Sequence, residues 1–100
     1  MIYLIKGGII VEKMDRFIDD EGRIKIWPKK KEVKIEILKY LATKFKYDCL
    51  YNEKEVNDII KKWHTFEDYF LLRRSLIDYK FLCRKKDGSE YWRNSEETHE

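Results

Sequence analysis

Apolar side chains recur at helical spacing through the middle of the chain, with polar residues filling the positions between them. Val33, Ile37, Leu38, Leu41 and Phe45 fall on one stripe, while Lys30, Lys34, Glu36 and Lys39 lie mostly on other faces. This predicts the strongest amphipathic helix of the chain, with Pro28 as a first-turn proline that starts it. A second stripe, Val56, Ile59, Ile60 and Trp63, follows Asn52-Glu53-Lys54-Glu55. There Asn52 is an N-cap acceptor and Glu55, three residues on, completes a capping box. A third helix is predicted from about Phe66 to Tyr79, burying Tyr69, Leu72, Leu76 and Ile77. Between the first two helices, Tyr47-Asp48-Cys49-Leu50-Tyr51 reads as a loop with room for a very short strand.

The two ends carry other signals. Residues 1–5 are apolar enough for an edge strand, and Ile10, Met14, Phe17 and Ile18 predict a short helix. Asp19-Asp20-Glu21-Gly22 reads as a turn, followed by a brief extended segment from Arg23 to Trp27. Near the C-terminus, Phe81-Leu82-Cys83-Arg84 and Glu90-Tyr91-Trp92-Arg93 flank Lys85-Lys86-Asp87-Gly88-Ser89. Asp-Gly supplies the positive-φ residue that a hairpin turn needs. Helix, short strand, helix, helix, hairpin is the order of a winged helix-turn-helix. The expectation is therefore a mostly helical α+β domain over residues 1–93, with the hairpin as its wing. Residues 1–28 form an N-terminal extension packed on it, and residues 94–100 a disordered acidic tail.

Composition narrows the class. Of the 100 residues, 43% are hydrophobic and 15% aromatic, with four Gly and one Pro, which argues against wholesale disorder. No apolar run approaches the roughly 20 residues of a bilayer span. The start, Met1-Ile2-Tyr3-Leu4-Ile5-Lys6-Gly7-Gly8, does not follow the order of a secretory leader, so it reads as part of the mature fold. Cys49 and Cys83 are unclustered in a Lys-rich chain. They read as reduced, buried thiols of a cytoplasmic protein, with a single disulfide as the alternative.

Net charge is only +3, from 22 basic and 19 acidic residues, but the charge is unevenly spread. Residues 29–48 hold seven Lys against three acids, and residues 80–93 hold five bases against two. Two basic zones on a small core could join into one phosphate-binding surface. Within that reading, Arg73 and Arg74 on the third helix would contact bases or phosphates. Arg84, Lys85 and Lys86 would straddle the backbone as a wing, and Lys30 and Lys34 would add attraction from the first helix. Phe70 and Leu71 are difficult to bury together with Leu72 and Leu76. They are the anchors of the alternative, a homodimer or protein-partner surface on the same helix. Tyr91-Trp92 reads as core.

Catalytic constellations are not evident. Ser75, Ser89 and Ser95 lack the glycine-framed setting of a nucleophile elbow, and Gly7-Gly8 opens no phosphate-cradling loop. Asp19-Asp20 before Gly22 reads as a turn rather than a cation site. His64 is the one histidine within the predicted core, and at the end of the second helix it reads as structural. The expectation is a binding module without enzyme activity, metal or cofactor.

Several ordered motifs then converge. They are Glu21-Gly22-Arg23-Ile24-Lys25-Ile26-Trp27-Pro28, Ile37-Leu38-Lys39-Tyr40-Leu41-Ala42, and Tyr51-Asn52-Glu53-Lys54-Glu55-Val56-Asn57 with Trp63-His64. Leu72-Arg73-Arg74-Ser75-Leu76-Ile77-Asp78-Tyr79 and Asp87-Gly88-Ser89 followed by Tyr91-Trp92-Arg93 complete the set. Together, over about residues 16–93, they resemble the bacterial domain-of-unknown-function family numbered two thousand and eighty-seven. The resemblance implies a regulatory, DNA-associated role, because that domain occurs alone or appended to transcription regulators. The chain departs from the family pattern at Tyr69-Phe70-Leu71, where smaller or more polar residues are usual. It departs again at Lys80, where a helix-ending Gly is common.

Overall fold

A computed structural model describes residues 15–95. The edge strand expected over residues 1–5, the Ile10 and Met14 positions, and the charged residues Glu96, Glu97 and Glu100 lie outside the described residues. The fold is α+β and mostly helical. Residues 15–17 are helical and lead into three further helices, α1 (Lys31–Ala42), α2 (Glu53–Lys62) and α3 (Tyr69–Asp78). An antiparallel hairpin follows, β1 (Leu82–Arg84) with β2 (Tyr91–Arg93), in the register Leu82↔Arg93, Cys83↔Trp92, Arg84↔Tyr91. No helix among the described residues is long and apolar enough to cross a membrane.

The predicted stripes meet in one core. Val33, Ile37, Leu38 and Leu41 of α1, Val56 and Ile60 of α2, and Leu72 and Leu76 of α3 are buried, joined by Ile24, Phe45 and Leu82. Truncating any one of the fully buried aliphatics to Ala would cost about 2–5 kcal/mol. The capping box forms as read: Asn52 Oδ1 accepts from the Glu55 amide at 2.8 Å, and Glu55 Oε1 accepts from the Asn52 amide at 2.8 Å. Gly88, at φ 76°, turns the hairpin, and Asp87 Oδ1 accepts from the Ser89 amide at 2.9 Å.

Three local expectations give way to tertiary contacts. Helix α1 starts at Lys31, with Lys30 as an N-cap that makes no side-chain bond. Pro28 stands outside it, three residues before the first helical position, with its ring fully buried. Phe45 continues the apolar period of α1 but lies beyond its end, folded back so that its amide donates to the Ala42 carbonyl at 3.1 Å. Helix α3 begins at Tyr69 rather than Phe66. Glu67 takes a φ of 57° and Asp68 becomes the N-cap, accepting from the Leu71 amide at 3.1 Å. Cys49 and Cys83 are not joined by a disulfide, and both are half-buried rather than in the core.

Single residues tie the connecting segments together. Tyr51 exchanges two backbone hydrogen bonds with Tyr91, at 2.8 and 2.7 Å, so the α1–α2 loop docks on β2. Ile24 donates to the Trp63 carbonyl at 2.8 Å and accepts from the Thr65 amide at 3.0 Å, binding the segment before α1 to the α2–α3 turn. Asp19 holds its own turn by accepting from the amides of Arg23 and Glu21, at 2.8 and 2.9 Å. Those amides, that of Arg23 foremost, keep its carboxyl below the ordinary aspartate range.

The end of α3 yields a prediction. Lys80 donates to the Ile77 carbonyl at 3.0 Å and Phe81 to the Leu76 carbonyl at 2.9 Å, the paired bonds of a Schellman motif. Lys80 adopts φ 66°, where a side chain is strained and Gly is not. Lys80→Gly should therefore raise stability by about 1 kcal/mol. Chemical denaturation would show a higher midpoint at unchanged slope, and a lower midpoint would refute this account of the cap.

Candidate functional site

Burial of Leu72, Ser75 and Leu76 fixes the rotation of α3 and turns Phe70, Arg74 and Asp78 outward as one i, i+4, i+8 stripe. The hairpin lies beside that stripe. Between them runs a groove of about 400 Å3, whose walls include Phe70, Arg74 and Asp78 on one side and Arg84 and Asp87 on the other. Glu53, Arg73 and Tyr91 also line it.

The two arginines of α3 have different surroundings. Arg73 donates to Asn57 Oδ1 at 2.5 Å and lies 3.6 Å from a Glu53 carboxylate oxygen, with its side chain only 14% exposed. Glu53 in turn accepts from the Tyr91 hydroxyl at 3.2 Å. Arg73 thus ties α3 to α2 and, through Glu53, to β2. Burial, then the Glu53 charge, raises the Tyr91 phenol above its ordinary range, so it remains a donor. Arg74 is exposed, and among the described residues no carboxylate pairs with it; its guanidinium lies 5.8 Å from the Phe70 ring centroid.

The hairpin cations also divide. The Arg84 guanidinium donates to the carbonyls of Lys85 and Lys86, at 3.2 and 3.3 Å, so it is folded over its own turn. Lys85 pairs with Glu90 at 3.2 Å. Lys86 stands exposed at the turn without an ion pair among the described residues. Asp87 is held below the usual carboxylate range by hydrogen bonds from Ser89, its hydroxyl first, and so keeps its negative charge beside Arg84. Arg73, Arg74 and Arg84 therefore face Glu53, Asp78 and Asp87 within one groove.

Lys30 and Lys34 do not join this surface. Lys30 lines a separate depression at the start of α1, which shares no residue with the groove, and Lys34 lies 5.7 Å above the Trp27 ring. Of the two apolar residues read on α3, Phe70 is 54% exposed and Leu71 half-buried. Tyr91 is core and Trp92 half-buried.

His64 is 6% exposed, and both ring nitrogens have partners. Nε2 accepts from the Asp68 amide at 2.9 Å, which assigns the proton to Nδ1, and Nδ1 donates to the Ile60 carbonyl at 2.7 Å. Its ring stands edge-on to Phe66 at 4.9 Å. The imidazole closes the α2–α3 turn, with no lone pair left over for a metal. No group of three His, Cys, Asp or Glu side chains among the described residues is arranged to hold one.

Sequence reasoning did not find Asn57 and Glu53 as partners of Arg73. The one available signal was their i, i+4 spacing on α2, which acquires meaning only once α3 is seen to pack there. Residues 23–93 match the model of a family described as an uncharacterized protein conserved in bacteria, DUF2087. No curated protein and no solved structure matches the chain. With that match running from Arg23 through the hairpin to Arg93, the chain belongs to this bacterial family.

Proposed function

We propose that this protein is a winged-helix module that binds double-stranded DNA in the cytoplasm and serves transcription regulation. The observation that carries the reading is the outward stripe of α3, where Arg74 has no carboxylate partner among the described residues, beside a hairpin turn that exposes Lys86. The element order supports it as well, because Tyr51 lies on β2 where a winged helix sets its first short strand. In this arrangement α3 enters the major groove and the hairpin follows a phosphate backbone. Arg74 reads a guanine edge or holds a phosphate, and Lys86, with Arg84 once it swings off its own turn, holds phosphates. Arg73 supports the helix from behind. Lys30 and Lys34 contribute long-range attraction only.

Fluorescence anisotropy on a labelled duplex of mixed sequence, across a salt series, tests this. Lys86→Ala should weaken binding equally for all sequences and lower the salt slope by about 0.9 for the lost phosphate contact. Arg74→Ala should weaken binding by about fivefold or more, a loss of roughly 1–3 kcal/mol if a base contact is removed. Absence of binding at low salt would reject the DNA reading. The exposure of Phe70 favours a second reading, in which α3 docks on a protein or on a second copy of the chain. Sedimentation velocity in which Phe70→Ser abolishes self-association, with DNA affinity unchanged in Arg74→Ala, would select it.

A further inference from the structure

A second concavity lies away from the α3 groove, where the segment before α1 crosses the start of that helix. It has a volume of about 330 Å3 and an apolar floor of Phe17, Ile26, Trp27 and Val33. Pro28 beneath it is fully buried, and its ring fixes the backbone on which Ile26 and Trp27 are carried. Ile26 is 45% exposed, although the Arg23–Trp27 segment has a core into which Ile24 is completely buried. The rim is basic: Arg16, Lys29 and Lys30 line it, no carboxylate of the described residues does, and none of the three is ion-paired among those residues. Arg16 lies 5.4 Å from the Phe17 ring centroid, and Lys34 covers the Trp27 ring from its own side.

We propose that this cleft binds a small organic acid with an unbranched or flat apolar body and one anionic head. The body lies against Ile26 and Trp27, and the head meets Arg16, Lys29 and Lys30. The volume is at the lower end of small-molecule sites and too short for the several turns of a docked helix, which selects a compact ligand. Uncompensated cations around an apolar floor select the sign of its charge. A preformed floor keeps the ordering cost of binding low. This site is independent of the DNA reading, because it shares no residue with the α3 groove.

Octanoate is the probe, with octanol and octylamine as uncharged and cationic counterparts, titrated into the full isotope-labelled chain by two-dimensional NMR. Octanoate should shift the Trp27 indole and the Ile26 and Val33 amides saturably, with a Kd of about 1 mM or tighter. Octanol should bind about fivefold more weakly or worse, the worth of one exposed ion pair at the rim. The double substitution Lys29→Gln, Lys30→Gln should weaken octanoate toward the octanol value, with Arg16 keeping the remaining difference. Ile26→Asn, at an exposed position that leaves the fold intact, should weaken both. Equal affinity for octanoate and octylamine, shifts centred on Phe70, or no saturable shift at about 10 mM would each overturn the proposal. So would binding of a glutamate-rich peptide with none of octanoate, which would assign the cleft to a protein partner.

Discussion

His64→Ala should lower the free energy of unfolding by about 3 kcal/mol. The imidazole is buried and bridges the Ile60 carbonyl to the Asp68 amide, so its removal leaves both backbone groups without that partner. The orphaned Asp68 amide costs on the order of 1–3 kcal/mol and the space vacated beside Phe66 adds to that, while the Ile60 carbonyl keeps the Trp63 amide at 3.0 Å. For a domain of this size the melting temperature should fall by about 12 °C or more. Hydrogen exchange localises the effect: the Asp68 amide should lose its protection along with the first turn of α3. An unchanged melting temperature would mean that the turn between α2 and α3 does not depend on the ring.

Gly22→Ala should cost about 2 kcal/mol and should do so through Tyr40. Gly22 has φ 84°, and a Cβ there would lie 2.8 Å from the Tyr40 hydroxyl oxygen and 3.3 Å from the Trp63 ring. That hydroxyl donates to the Gly22 carbonyl at 2.7 Å, and burial raises the phenol above its ordinary range, so it remains a donor. The Lys44 ammonium, 4.6 Å from the Tyr40 centroid and 3.9 Å from that of Trp63, holds both rings in place. About half the cost is therefore backbone strain and half is the displaced hydrogen bond. A double-mutant cycle separates the two, because Tyr40→Phe removes the clashing atom. In that background Gly22→Ala should cost only about 1 kcal/mol, the strain alone. Additivity of the two substitutions would show that Tyr40 does not sense the turn.

Much of the architecture was legible because it is written in short-range chemistry. Asn52 and Glu55 cap α2 through bonds three residues apart, and Asp87-Gly88 closes the hairpin within its own turn, so neither depends on the rest of the chain. The helical stripes were readable for a similar reason, since a periodic apolar face has one stable way to be buried. The start of α3 was not legible, because His64 takes the Asp68 amide and holds the chain out of a helix for one further turn. The candidate site was legible in residue type only. Arg73 and Arg74 are adjacent and chemically identical, yet one is tied to Asn57 and Glu53 and the other faces outward.

The sequence by itself determined the three helices, the hairpin, the turn residues and the family to which the chain belongs. Each depends on spacing, propensity or motif within a few residues. Only the tertiary structure decided which cations remain available, because charge pairing depends on what distant segments bring within about 4 Å. It took Arg73 into an interhelical tie, paired Lys85 with Glu90, and set Lys30 at a different cleft from Arg74. It also left Ile26 outward while burying Ile24, two residues earlier, against the α2–α3 turn. In a regular extended segment residues two apart share one side, so the split arises because the chain bends at Ile26 once Ile24 has docked on the α2–α3 turn.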